Sequence, residues 1–422
     1  MQNVSSITKA YEHARQRYAD FGVDTERAIE TLLRMSLSIH CWQGDDVGGF
    51  EKPSATLSGG GILATGNYPG KARTIEELRM DLKKAYALIP GAHRLNLHAM
   101  YGDFRGAPVD RNEIETKHFQ SWIDWAKQEG LKLDFNATCF SHPKADSGYT
   151  LSSKDKSIRG FWIEHVRRCR KISAAMGKEL NSPCIHNIWI PDGSKDMPMD
   201  RFTHRALLTE SLDEIFERGY DASVMKDSIE SKLFGIGSEA FVVGSHEFYL
   251  GYALSRKKMP CLDMGHYHPT ESVADKISAL LQFVDELLLH VSRGIRWDSD
   301  HVVIVNDDLR ALAEEIVRSS ALGRVHVALD YFDASMNRVG AWVIGARATL
   351  KAFLWALLEP REHLRAFENQ GNYFSRLALL DEAKSLPFGA VWDYVCLRAE
   401  VPSGEDWLRE VQRYEKEVLS KR

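Results

Sequence analysis

Apolar runs and helical repeats alternate along this chain. Short stretches rich in branched and aromatic residues are followed by longer stretches in which apolar residues recur with the period of a helix. Strands alternating with helices are typical of βα units around a parallel sheet. The pattern predicts strands over residues 37–42, 94–101, 131–140, 184–192, 230–236, 260–266, 287–293 and 325–332. Eight such units in succession predict an α/β protein with a (β/α)8 TIM barrel.

Local signals place the ends of several helices. A Thr-x-x-Glu capping box predicts a helix that begins after Thr74. Glycines are predicted to close two others, at Gly130 and at Gly323. Two further amphipathic helices are predicted before the first strand. The barrel therefore carries N-terminal helices that add to its repeating unit.

The last part of the chain differs in composition. From about Glu359 it becomes rich in Ala, Leu and Glu and has no further predicted strand. We expect a C-terminal helical extension over residues 359–422, packed on the barrel or on another subunit, and a barrel domain over residues 1–358.

Composition restricts the partners. The 422 residues include 54 Lys and Arg and 59 Asp and Glu, a net charge of −5, which removes the simplest electrostatic case for nucleic acid or an anionic membrane as partner. A small neutral ligand fits better. The six cysteines form no C-x-x-C pair, and no apolar run approaches the ~18 residues of a membrane span. These features predict a cytoplasmic protein with free thiols and no thiolate zinc site.

Metal-binding side chains are concentrated at the predicted strand ends, where a barrel of this type carries its chemistry. They are His40, His98, Asn136, Glu230, Asp263, His266, His290, Asp298, Asp300 and Asp330. A single histidine here is more often a hydrogen-bonded core residue. Several carboxylates at one end of a barrel, however, need cations to offset their burial. The alternative is a solvated acidic rim without metal.

The spacing of these residues supports chelation. Glu230, Asp263, His290 and Asp330 belong to the last four predicted strands, so barrel closure brings them together, with His266, Asp298 and Asp300 nearby. In the W-D-S-D-H segment Asp298 and Asp300 project from the same side of an extended chain. Carboxylate and imidazole ligands without thiolates suit Mn²⁺, Mg²⁺ or Co²⁺, and Zn²⁺ is also compatible.

One cation and several aromatic residues complete the predicted site. Lys232 follows Glu230 by two positions, so on a strand it points into the same cavity, where it would donate hydrogen bonds to a substrate oxygen. Aromatic side chains at neighbouring strand ends are candidate walls of a sugar-sized pocket or ordinary core residues: Trp42, Tyr101, Phe140, Trp189 and Phe332.

Longer segments identify a relative. The chain resembles the L-rhamnose isomerase family from end to end, most clearly in HCWQGDDVGGFE from His40, ESKLFGIG from Glu230, CLDMGHYHPTE from Cys261, RWDSDHVV from Arg296 and LDYFDAS from Leu329. The resemblance implies a barrel of the xylose-isomerase-like superfamily, a cytoplasmic homotetramer, two divalent ions with Mn²⁺ preferred, and reversible conversion of L-rhamnose to L-rhamnulose in rhamnose catabolism.

The resemblance also implies roles for single residues. The ligands of a structural metal match Glu230, Asp263, His290 and Asp330, and those of a catalytic metal match His266, Asp298 and Asp300. The positions that contact substrate match His98, Trp189, Lys232 and Phe332. No ligand position is substituted.

The chemistry requires a hydrogen to move between C1 and C2 of the sugar and a proton to move between their oxygens. We hypothesise a metal-assisted 1,2-hydride shift, with a solvent molecule oriented by Asp298 or Asp300 as proton carrier and Lys232 holding the open-chain sugar. The alternative is a cis-enediol formed by a carboxylate or histidine base.

Two other functions compete with isomerisation. Clustered carboxylates and histidines also suit a barrel metallohydrolase, although an anionic substrate would require more cations than Lys232 alone. A sugar-binding or metal-storing scaffold without catalysis is the second alternative.

Overall fold

Eight parallel strands close into a barrel. The computed structural model describes residues 4–42, 49–51, 70–232, 240–295, 300–332 and 335–422, without the side chain of Asp300. The strands are β1 Ser36–His40, β2 Ala92–His98, β3 Lys132–Asn136, β4 Cys184–Trp189, β5 Met225–Glu230, β6 Met259–Asp263, β7 Leu287–Val291 and β8 Val325–Leu329. Each strand pairs with its neighbours in chain order, and β1 also pairs with β8. The predicted (β/α)8 barrel is confirmed.

In the described part of the chain, one α-helix follows each barrel strand, and six more flank the barrel. The helices are α1 Val4–Ala19, α2 Thr25–Arg34, α3 Ile75–Tyr86, α4 Gln120–Glu129, α5 Lys156–Leu180, α6 Arg201–Phe216, α7 His246–Arg256, α8 Ala274–Leu280, α9 Asp307–Arg318, α10 Arg338–Leu357, α11 Arg361–Asn369, α12 Tyr373–Glu382, α13 Phe388–Arg398 and α14 Asp406–Glu417. Helices α3 to α10 belong to the repeating units. The two predicted N-terminal helices are α1 and α2.

The predicted helix ends are right in two cases and wrong in one. Thr74 caps α3 by accepting from the Glu77 backbone N–H, and Gly130 ends α4 in the left-handed conformation. Helix α9 stops at Arg318, before Gly323. Ser320 adopts a left-handed φ of 57°, and the N–H of Ala321 donates to the carbonyl of Ile316. These are the features of a Schellman motif, which a serine here provides without glycine.

Strand β5 lies earlier than predicted. The prediction began at Glu230, whereas the strand runs from Met225 and ends at Glu230. The polar residues at the start of this strand do not fit the hydrophobic pattern on which the prediction relied. Lys226 is paired with Glu286 at 2.6 Å and Asp227 with Arg170 at 2.9 Å, and these ion pairs allow both residues to lie in the strand. Positions 233–236 of the predicted strand lie outside the described residues. The correction turns Glu230 from the start of a strand into its last residue.

The inside of the barrel is built in layers. Ile185, Met259, Cys261, Leu288 and Ala328 form a buried apolar cluster contributed by four strands. Because side chains alternate along a strand, the residue two positions later projects on the same side. Those residues are Asn187, Asp263, His290 and Asp330. A polar layer at the carboxyl ends of the strands therefore lies directly on an apolar floor.

The segment after α10 is helical and packs against the barrel's own helices. Tyr394 of α13 stacks on Tyr11 of α1 with 3.8 Å between ring centroids. Asp81 of α3 accepts from Tyr414 at 2.7 Å and from Arg422 at 2.7 Å. The division of the chain into domains at residues 358 and 359 remains a prediction.

The described helices differ from membrane spans in length or composition. None is by itself long and apolar enough to cross a bilayer, and only α10 and α11 taken together, with a 54° bend between them, meet the length and composition of a span. Most residues of α10 are buried within the protein.

The Asp81–Arg422 pair should stabilise the attachment of the C-terminal helices. Asp81 is fully buried, so Arg422→Ala would leave its carboxylate without its closest cation. We expect the free energy of unfolding in urea to fall by about 3 kcal/mol. Arg413→Ala is the control, because Arg413 is exposed on α14, and its loss should cost at most about 0.5 kcal/mol. Equal effects of the two changes would contradict this role.

Candidate metal centre

Four side chains from the last strands of the barrel meet at its carboxyl end. One ligand atom from each of Glu230, Asp263, His290 and Asp330 lies within 4.8 Å of the others. His290 Nδ1 is 3.4 Å from Glu230 Oε1, 3.5 Å from Asp263 Oδ2 and 3.0 Å from Asp330 Oδ2. The predicted convergence of these four residues is thus present in the fold.

Neighbouring groups orient the carboxylates. Asn187 Nδ2 donates to Glu230 Oε2 at 2.5 Å, and the indole N–H of Trp42 donates to Asp330 Oδ1 at 3.1 Å. Asp263 Oδ1 accepts from the Gly265 N–H at 2.6 Å and from the Ser292 hydroxyl at 3.1 Å. Each carboxylate therefore has one oxygen fixed and one facing the centre, as metal ligands require.

Among the described residues, the buried Asp263 Oδ2 and both ring nitrogens of His290 have no hydrogen-bond partner of acceptable geometry. Three carboxylates around one imidazole are costly in a buried site unless a cation offsets their charge. The donor set, oxygen with imidazole nitrogen, suits a divalent ion. These residues fit a divalent metal and form a candidate carboxylate–imidazole metal site.

The pKa shifts of the buried groups indicate that this site favours positive charge. Although burial opposes it, Asp263 and Glu230 raise the pKa of His266 to about 10. Burial also opposes a charge on His290, but its acidic neighbours raise its pKa well above the usual value. Conversely, burial would raise the pKa of Glu230, yet His290 and His266 lower it. These shifts all favour positive charge at the centre of the site.

The second predicted group is described only in part. His266 Nδ1 donates to the Ser231 carbonyl at 2.9 Å and lies 3.2 Å from Glu230 Oε1. Asp298 lies outside the described residues, and so does the side chain of Asp300. The backbone of Asp300 belongs to a two-residue strand that pairs with residues 293–294.

A pocket opens above the centre and encloses about 490 Å³ of space, part of which is open solvent at its mouth. Its described lining includes the four predicted substrate residues His98, Trp189, Lys232 and Phe332, together with Trp42, Met100, Asn136, Phe140, Asn187, Glu230, His266, His290 and Asp330. Lys232 follows the end of β5, and its ammonium lies 4.9 Å from the centroid of the Trp189 ring. Its predicted direction into the cavity is correct, although the predicted strand was not.

Two residues predicted at the strand ends, the candidate wall residue Tyr101 and the candidate metal-binding residue His40, are core residues. Tyr101 is buried, does not line the described pocket, and its carbonyl accepts from the Trp122 indole. His40 is fully buried against Tyr331, with ring centroids 4.5 Å apart, and burial lowers its pKa to about 3.

Sequence reasoning missed some members of the site. Asn187 precedes Trp189 by two positions, so the alternation of β4 could have indicated that both face the pocket. Cys261 lies close enough to Glu230 and His290 to form a second candidate ligand group. The wide spacing of the cysteines along the chain hid this proximity.

Comparison with known proteins decides the family. The family model described as L-rhamnose isomerase (RhaA) matches residues 5–422. The chain is 57% identical to the L-rhamnose isomerase of Rhodopirellula baltica, over all of this chain and 98% of that one. It is 58% identical to the enzyme of Bacteroides thetaiotaomicron, over the full length of both. The chain belongs to the L-rhamnose isomerase family.

Solved structures align with this chain only distantly. An L-ribulose 3-epimerase aligns with a TM-score of 0.48 and 13% identity over 70% of this chain and 94% of its own. The D-allulose 3-epimerase of Methylomonas sp. aligns with a TM-score of 0.45 and 12% identity, over 78% and 97%. The fold of this L-rhamnose isomerase family member rests on its own strand pairing, not on these alignments.

Metal binding to this L-rhamnose isomerase family member should release protons. With a pKa of about 10, His266 is protonated at pH 7 and must lose its proton before the imidazole binds a cation. We expect release of about one proton or more per chain on Mn²⁺ addition, and affinity that rises with pH. Titration calorimetry at pH 7 in two buffers of different ionisation enthalpy measures the release.

Two variants test the source of the protons. His266→Gln should release fewer protons than the unaltered chain. His326→Gln is the control, because His326 pairs with Glu286 near the start of β8 and should leave the release unchanged. Binding heats that are independent of the buffer would contradict the prediction.

Proposed function

We propose that this chain interconverts L-rhamnose and L-rhamnulose at the carboxyl end of the barrel. The chain is a member of a family of aldose–ketose isomerases. The observation that carries the proposal is the position of the Glu230, Asp263, His290 and Asp330 group at the base of a pocket with aromatic walls. Such a pocket offers a neutral sugar both apolar surfaces and oxygen-binding groups.

We propose two divalent ions, with Mn²⁺ preferred over Co²⁺, Mg²⁺ or Zn²⁺. Glu230, Asp263, His290 and Asp330 would hold the structural ion. His266, Asp298 and Asp300 would hold the catalytic one. When bound, such ions supply Lewis acidity that polarises the sugar carbonyl and offsets charge on its oxygens.

The chain's own residues would position the sugar and carry its proton. Lys232 donates to a sugar oxygen, and Trp189, His98 and Phe332 enclose the carbon skeleton. His98 Nδ1 lies 2.9 Å from Thr138 Oγ1, so its other nitrogen is available to the pocket. Asp298 or Asp300 would orient the solvent molecule that moves a proton between O1 and O2, while hydride passes from C2 to C1 within the sugar.

The alternatives have less support. Phosphodiester hydrolysis would place an anion in the pocket, yet Lys232 is the one Lys or Arg among its described lining residues. A non-catalytic scaffold would not require the separate second group around His266.

We further propose that the enzyme acts as a cytoplasmic homotetramer in rhamnose catabolism.

Ketose formation tests the proposed activity. L-rhamnose incubated with the Mn²⁺-loaded chain should yield L-rhamnulose, measured colorimetrically, and EDTA should abolish the product until Mn²⁺ is restored. Glu230→Gln removes a ligand charge and should lower kcat/KM about a thousandfold. Glu286→Gln is the matched control, because this carboxylate pairs with Lys226 away from the pocket. An unaltered chain that forms no ketose with Mn²⁺ present would overturn the proposal.

Isotope transfer tests the chemical step. With deuterium at C2 of L-rhamnose, a 1,2-hydride shift should deliver the label to C1 of L-rhamnulose, because this hydrogen never enters solvent. Mass spectrometry of the product measures retention. Extensive loss of deuterium to water would establish the enediol route instead.

A further inference from the structure

One buried arginine behind the pocket wall contacts two of the loops that form it. Arg111 lies in a 3₁₀ turn between β2 and α4, and its side chain is only 3% exposed. It does not itself line the described pocket. A buried guanidinium needs its five N–H groups satisfied, so its partners show what it holds in place.

The partners come from the segments after β3 and after β1. Nη1 donates to the carbonyl of Thr138 at 2.8 Å and to that of Phe140, and Nη2 donates to the carbonyl of Ser141 at 3.1 Å. Nε and Nη2 also donate to the Glu51 carboxylate, at 3.1 Å and 2.9 Å. One rigid, planar group thereby ties two loops together, which a lysine with its single ammonium does not reproduce.

The segment after β3 carries part of the pocket wall. Thr138 is bonded to His98, and the Phe140 ring stands edge-on to His98 and to Trp189, with centroids 5.5 Å and 5.3 Å away. Ser141 has a left-handed φ of 51°, a conformation that costs energy in a residue other than glycine. The bond from Arg111 to its carbonyl helps to hold this turn.

The segment after β1 is fixed against the wall as well. The Phe50 N–H donates to the carbonyl of Met100 at 2.8 Å, and Met100 lines the pocket. Gly49 has a φ of 59°, and a Cβ there would lie 2.3 Å from the same carbonyl, so a side chain is excluded. Glu51 therefore reaches Arg111 from a segment closely packed on the pocket.

We propose that Arg111 is a positioning residue for the sugar, acting through Phe140 and His98. This inference rests on the proposed isomerase function. The guanidinium fixes the backbone segment that carries the Phe140 ring and the Thr138 hydroxyl bonded to His98, and so sets the width of the pocket between His98 and Trp189. Its hydrogen-bond partners among the described residues include none of the proposed metal ligands, so we expect its effect to fall on the sugar and not on the ions.

Arg111→Lys in the full-length chain tests the proposal. Lysine keeps the charge beside Glu51 but loses the bridge to three carbonyls, so we expect the KM for L-rhamnose to rise about tenfold, with a smaller change in kcat. Mn²⁺ affinity, measured by equilibrium dialysis, should change less than twofold. Arg105→Lys is the matched control, because Arg105 is an exposed residue of the same β2–α4 connection and should leave both values unchanged.

A double-mutant cycle separates positioning from general loss of structure. If Arg111 acts through Phe140, its replacement should add little to the increase in KM caused by Phe140→Ala, because the ring it positions is gone. Additive effects of the two changes would overturn the proposal. Glu51→Gln provides a milder variant should Arg111→Lys fold poorly, and we expect it to raise KM about threefold.

The remaining outcomes are distinct. If the Arg111→Lys enzyme is active and keeps the KM of the unaltered chain, the proposed role of Arg111 is overturned, but the proposed isomerase function is not. A loss of Mn²⁺ affinity that accompanies the rise in KM also overturns only the role of Arg111. An unaltered chain that forms no ketose overturns the proposed function itself.

Discussion

Closure of the barrel is the constraint on which the site depends. Parallel strands in a ring bring all their carboxyl ends to one mouth, so Glu230 and Asp330, a hundred positions apart, meet around His290. The apolar floor below them leaves the charged groups no route to solvent on that side. Their mutual repulsion favours a bound cation at this position.

Hydrogen bonds from neighbouring residues fix the orientation of these charged side chains. Asn187, Trp42 and Ser292 each occupy one carboxylate oxygen and leave another directed inward. The backbone carbonyl of Ser231 does the same for His266 by fixing one ring nitrogen. Arg111 has a corresponding role in the pocket wall, where its hydrogen bonds fix backbone carbonyl groups instead of metal-binding side chains. Ligand orientation and pocket shape are thus supported by separate sets of hydrogen bonds.

Much of the barrel could be predicted because hydrophobic periodicity reports burial directly. The error in β5 arose where Lys226 and Asp227 lie in a strand and are neutralised by partners distant in sequence. The end of α9 was misplaced because Ser320 takes the left-handed role that glycine usually fills. In the first case ion pairs with distant residues outweighed the local residue preference, and in the second case a left-handed backbone conformation did so.

The sequence by itself determined the βα alternation and the types of the candidate ligands, because these depend on hydrophobic periodicity and on residue chemistry. Only the tertiary structure decided that Tyr101 and His40 are core residues, that Cys261 lies beside Glu230 and His290, and that Arg111 supports the pocket. Those facts depend on which distant segments come into contact, and local periodicity carries no information about such pairings.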